Sequence, residues 1–109
     1  MLNLIHYIIL IGHEPRLLPL LRNKLLNLAG EAQIDIADIN DLNGLLCKQR
    51  PDLLLYATAA DELYLPYIDI IRKNPVADEI PIVVCQGEIE EAVLIEILRG
   101  INGNKPLQH

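Results

Sequence analysis

Three short apolar runs constrain this chain more than any other feature: LIHYIILI (4–11), DLLLYA (52–57) and IPIVVC (80–85). Each is aliphatic and nearly unbroken, where a strand with one wet face would alternate polar and apolar residues. Unbroken runs of this length are the pattern of strands covered on both faces, as in a parallel sheet between layers of helices. They are also far shorter than the ~18 residues a membrane-crossing helix needs, and Asn3 and His6 interrupt the neighbourhood of the first.

The segments between the runs supply helices. Leu17, Leu18, Leu20, Leu21, Leu25 and Leu28 recur at helical spacing, and Gly30 is placed to end that helix. Pro15 can start it, but Pro19 would then crowd the carbonyl of Pro15 and remove a donor. Either the helix begins near Pro19 or its first turn is distorted. QIDIADI (33–39) alternates, as an edge or half-covered strand does. Asn40 or Asp41 can cap the next helix, with Leu42, Leu45 and Leu46 facing inward and Pro51 marking its end. Residues 58–65 read as a loop, and Pro66 suits the first position of a helix running to about Asn74. Gly87 turns the third run into a last helix over roughly 88–99. Strand and helix thus alternate four times. This predicts one α/β domain over 1–109, a three-layer doubly wound parallel sheet with right-handed crossovers.

Composition removes several functions. Hydrophobic residues make up 51% of the chain and charged residues 22%, which excludes disorder. The net charge of −6 repels phosphate backbones and no basic stripe offsets it, so no nucleic-acid partner is expected. No membrane partner is expected either. The start lacks the segments of a secretory signal, which makes a cytoplasmic location the expectation. Cys47 and Cys85 then read as reduced, buried thiols.

RPDLLLYA (50–57), NPVADEIPIVVCQG (74–87) and KPL (105–107) resemble the receiver domain of two-component response regulators, in this order and spacing, and ILIGHEP (9–15) is similar to that family's first strand and acidic turn. The resemblance spans nearly the whole chain. It implies a sheet in the order 2-1-3-4(-5), with a site at the carboxyl ends of the strands. Because the chain continues so little past Lys105, it also implies a vestigial fifth strand, a missing fifth helix and an apolar sheet face left open. A receiver takes a phosphoryl group on an aspartate ending the third strand. Acidic groups hold Mg²⁺, and a lysine and a hydroxyl bind the phosphoryl oxygens.

Carried over residue by residue, most of that chemistry is gone. The acceptor position falls on Ala57, the two acidic ligands on Gly12 and His13, and the hydroxyl on Gln86. Glu14 matches a family position, and Lys105 before Pro106 matches the lysine. With no acceptor and one carboxylate, neither phosphorylation nor Mg²⁺ is expected, and no cofactor is implied. Asp52 begins its strand at the wrong end to substitute, and Asp61 lies in the following loop.

Other readings are weaker. His13 and Glu14 form an acid–base pair only if adjacent loop residues point at one atom, and no nucleophile accompanies them. His13 with Cys85 falls short of the four ligands of structural zinc. GINGN (100–104) lacks the strand and helix of a phosphate-binding loop and reads as a connection. His6 reads as a structural residue of the first strand.

The last helix carries more apolar surface than one sheet contact needs. Ile89, Val93, Leu94, Ile97, Leu98 and Ile101 spread beyond the ~100° stripe of a docked helix. Either the tail packs over it or a partner protein does. The leading expectation is a non-enzymatic pseudo-receiver that contacts a signalling protein or itself, as a homodimer, through this helix and an uncovered sheet edge. The alternative is an anion or small-molecule sensor using Lys105, Gln86 and His13.

Overall fold

The computed structural model describes residues 5–12, 16–28, 30–59 and 63–104. They form β1 (Tyr7–Gly12), α1 (Leu17–Leu28), β2 (Gln33–Ala37), α2 (Ile39–Lys48), β3 (Leu53–Thr58), α3 (Leu65–Arg72), α4 (Pro75–Asp78), β4 (Ile82–Gln86) and α5 (Glu91–Asn104). The strands make one sheet in the order β2-β1-β3-β4, every neighbouring pair parallel. This is the expected doubly wound α/β architecture.

Every residue of β1 and β3 is buried. Successive side chains of a strand point to opposite faces, and both faces are covered. Ile8, Leu10, Leu53, Leu55 and Ala57 pack under α1 and α5, with Leu18, Leu21, Leu25, Leu94 and Leu98. Tyr7, Ile9, Ile11, Leu54 and Tyr56 pack under α2, α3 and α4, with Leu42, Leu46, Ile68, Ile71 and Ala77. The unbroken apolar runs are therefore the sequence record of two cores that share one sheet. At the amino ends of these strands the Asp52 carboxylate accepts from the backbone N–H of His6 at 2.7 Å and of Tyr7 at 3.2 Å. Asp52 thus stitches the start of β1 to the start of β3, at the far end from the candidate site. His6 contributes its backbone there, while its side chain is exposed.

Several boundaries move for local reasons. Helix α1 starts at Leu17, with Pro19 inside its first turn, where backbone donors have no intrahelical acceptor and proline is tolerated. Asp38, rather than Asn40 or Asp41, caps α2, its carboxylate accepting from the Asn40 N–H at 2.6 Å. Helix α3 stops at Arg72, and Asn74 instead caps the single turn α4, accepting from the Val76 N–H at 2.9 Å. GINGN is not a connection: residues 100–104 continue α5. Ile101 packs against the α1/α5 core, and tertiary contact of this kind overrides the ~1 kcal/mol helix penalty of a glycine.

Two larger corrections concern the carboxyl half. Strand β4 is an edge strand, and Ile82, Val83 and Val84 are only half-buried, because no further strand pairs with it among the described residues. The sheet face expected to be open is covered: Leu94 and Leu98 of α5 are fully buried beside α1. A right-handed crossover returning to a fifth strand would lie on the α2/α3 side. Helix α5 feeds no strand among the described residues, and it settles instead on the apolar surface beside α1.

The Asp52 stitch makes a stability prediction. Asp52→Ala strands two backbone donors at the strand starts and is expected to cost about 1–3 kcal/mol in urea unfolding. A loss below about 0.5 kcal/mol would place the stitch outside the stabilising contacts.

Candidate functional site

The carboxyl ends of three strands meet in register. Gly12 of β1 pairs with Ala57 of β3. Ala57 in turn pairs with Cys85 of β4, and Thr58 with Gln86. Three of the six predicted pocket residues, Gly12, Ala57 and Gln86, are therefore gathered at one end of the sheet. His13, Glu14 and Lys105 lie outside the described residues, as does Asp61.

The packing here is tight. A Cβ built on Gly12 would overlap the carbonyl oxygen of Ala57. Only glycine allows the strand ends to approach this closely. Ala57 itself is 2% exposed and turns its methyl group into the α1/α5 core. The cavity beside it, lined by Leu17, Leu21, Lys24, Ala57, Gly87 and Ile89 among others, is about 10 Å³, room for roughly one water.

Sequence reasoning missed two members of this region. Lys24 projects from α1 and donates through Nζ to the Ile89 carbonyl at 2.6 Å, tying α1 to the turn between β4 and α5. Its helical position reads as an ordinary solvent-facing lysine, so spacing carries no signal for the contact. Thr58 follows Ala57 directly and is fully buried. Its hydroxyl donates to the Ala59 carbonyl at 3.4 Å and its carbonyl accepts from the Gly87 N–H at 2.7 Å. Gly87 then leaves the strand at φ 69°, a left-handed conformation that suits glycine.

The chemistry on offer is sparse. The Ala57 methyl group has no nucleophilic atom. Burial pushes the Cys85 thiol up to about 11, so it stays protonated and unreactive near neutrality. Cys47, expected to be buried, is exposed on α2. Among the described residues, no three His, Cys, Asp or Glu side chains cluster as metal ligands do, and no helix is long and apolar enough to cross a membrane.

The expected contact surface on α5 divides. Leu94 and Leu98 are fully buried and cannot meet a partner, because they are the residues that cover the sheet. Ile89, Ile97 and Ile101 are partly buried against the same core, and Val93 points outward at 46% exposure.

No protein-family model matches the chain, and no curated protein does. Among solved structures, the chain is similar to the solution structure of a response regulator protein from Burkholderia multivorans, with a TM-score of 0.61 and 18% sequence identity over 90% of this chain and 95% of that one. At that identity the likeness establishes a shared fold.

Two predictions follow from the packing. Gly12→Ala is expected to destabilise the fold by about 1–3 kcal/mol, read as a lower urea midpoint at unchanged slope, because the new Cβ forces β1 from β3. The alkaline limb of stability is set by two buried acids. Burial, then the hydrogen bond and charge of Asp35 at 2.8 Å, push the Tyr7 hydroxyl up to about 12. Both groups are held in their neutral forms by the fold. Their contribution is therefore complete below the unfolded thiol value of 9.0 and is lost as pH rises through about 11 for Cys85 and about 12 for Tyr7. Cys85→Ala should move the onset of this loss from near pH 9.0 toward the tyrosine value of 10.0, seen by urea unfolding across pH 8–11. An unchanged onset would rule Cys85 out.

Proposed function

We propose that this chain is a receiver-like module of two-component-type signalling that works by protein contact in the cytoplasm, without phosphorylation and without a reaction of its own. The observation that carries the reading is Ala57. It stands one residue before the end of β3, where a receiver would hold its acceptor, and its methyl group is buried under α1 while its backbone lies against Gly12.

The close approach at Gly12 supports more than a missing side chain. A single lost acceptor leaves a pocket that one substitution can refill. Here the first acidic position is a glycine whose strand has closed onto β3, and the cavity beside Ala57 holds about one water. A phosphoryl group with its metal needs several times that space. Lys24, the cation of that cavity among the described residues, is already engaged by the Ile89 carbonyl.

Function then rests on surfaces. The edge of β4 carries half-buried apolar residues, and the outward side of α5 exposes Val93. These are the features by which a partner, or a second copy, would engage the chain.

Incubation with acetyl phosphate and Mg²⁺ tests the reading. The wild-type chain should gain no stable adduct of about 80 Da, the mass of one phosphoryl group. Ala57→Asp should also gain none, and should lose about 3 kcal/mol or more by placing an unpaired carboxylate under α1. A stoichiometric adduct on the wild-type chain would refute the proposal.

A further inference from the structure

We propose that the open edge of β4 pairs with a second copy of itself, antiparallel and about a two-fold axis at Val84, so that one sheet runs through a dimer. The inference rests on the contact-module reading above and names its partner.

The hydrogen-bond phase of β4 is fixed at both ends. The Leu54 N–H donates to the Pro81 carbonyl at 3.0 Å, and the Gly87 N–H donates to the Thr58 carbonyl at 2.7 Å. With Leu54 registered on Ile82 and Thr58 on Gln86, the odd-numbered residues 81 to 87 bond β3. Ile82, Val84 and Gln86 therefore turn their N–H and C=O groups to the open edge. Among the described residues no side chain bonds these outward groups.

The two edges of the sheet are treated differently. On β2 the Gln33 N–H donates to the His6 carbonyl at 2.8 Å, which by the same phasing turns Ile34 outward. Arg22 reaches over that edge and donates to the Ile34 carbonyl at 3.3 Å, and Asp35 adds charge within the strand. Strand β4 reads IVVCQ, with no charged residue and no proline. An uncharged, β-branched edge is the kind that natural proteins guard unless it is meant to pair.

A second copy satisfies this edge by symmetry. Pairing about Val84 sets Ile82 opposite the partner's Gln86 and Val84 opposite the partner's Val84. These are all outward-facing positions, making about six main-chain hydrogen bonds. A two-fold axis normal to the sheet keeps both cores on their own sides and gives a closed, isologous contact. Val83 then lies opposite the partner's Cys85 on the α5 side, so half-buried valines meet apolar neighbours across the join.

Charge favours the antiparallel sense. It brings the turn after the partner's β4, which carries Glu88, toward the start of β4 and the groove lined by Arg50, Arg72, Asp78, Glu79, Ile80 and Ile82. Arg50 and Arg72 each have a carboxylate near, Glu79 at 3.3 Å and Asp78 at 3.9 Å, all well exposed, and a guanidinium has five N–H donors to share. A parallel pairing would bring the two Glu88-bearing turns to the same end instead.

Sedimentation from low to high micromolar concentration tests the proposal. The wild-type chain should reach twice the single-chain mass. Val84→Pro should remain a single chain with an unchanged far-ultraviolet spectrum, since proline removes only an outward donor there and is tolerated at such edge positions. Val93→Lys, on the outer side of α5, should still dimerise. Hydrogen exchange on the wild-type chain needs no variant: the Ile82, Val84 and Gln86 amides should slow only as concentration rises. A wild-type chain monomeric throughout would overturn the pairing, as would slow exchange of these amides at every concentration, which would mean the chain's own tail covers the edge. A dimer lost with Val93→Lys but kept with Val84→Pro would also overturn it, while leaving the contact-module reading intact. The acetyl phosphate experiment judges that module's independence of phosphorylation separately.

Discussion

The parallel pairing of β1 with β3 is the constraint on which the rest of this structure depends. Both strands are buried on both faces, and their register runs from Ile8 against Leu53 to Gly12 against Ala57. A slip of one residue would exchange the side chains under α1 and α5 with those under α2 and α3. The two cores are filled by residues of different size: Leu55 and Ala57 on one side, Tyr56 on the other. A slipped register would therefore overfill one core and leave voids in the other. Asp52 holds the amino ends and the Gly12–Ala57 approach holds the carboxyl ends. Between these fixed points the register has no freedom.

That same approach joins stability to function. In an open α/β sheet the carboxyl ends of the strands splay into a crevice that can hold a ligand. Here Gly12 lets β1 and β3 close, Ala57 puts a methyl group into the core where a polar group would stand out, and Lys24 bridges α1 to the β4–α5 turn. Gly12 and Ala57 serve packing at this end of the sheet. On the proposed reading this substitution is coherent: each change lowers reactivity and raises burial at the same place.

How much of this was legible in the sequence follows from what each residue depends on. The β1 and β3 runs were legible because burial on both faces leaves no alternation to misread. Ala57 was legible because its place is fixed by counting from Pro51 along a single strand. The side of the sheet taken by α5 was not, since it depends on whether a further strand exists to be reached, and a helix carries the same apolar spacing either way. The expectation that Leu94 and Leu98 meet a partner failed for that reason. IPIVVC was expected to be a buried strand like the other two. Its partial exposure comes from having one neighbouring strand rather than two among the described residues, which composition does not encode. Lys24 was illegible because its carbonyl partner is backbone, 65 residues away.

A receiver that exchanges phosphate changes its surface by moving between two packings, and that requires a site loose enough to have two. Among the described residues, the carboxyl end of this sheet is held by the close backbone approach at Gly12, by the Lys24 bridge and by the buried Thr58. Nothing among them supplies a second arrangement. If the chain carries information, the proposed reading moves the variable from conformation to occupancy: how much of the chain is bound, set by concentration and affinity. An edge strand suits that role. Its outward N–H and C=O groups are positioned by the β3 ladder whether or not a partner is present, so little ordering is needed on association, and preorganised surfaces bind at lower entropic cost. On that reading, the close packing at one end of the sheet and the readiness of the β4 edge to pair have the same source, the fixed ladder of β1, β3 and β4.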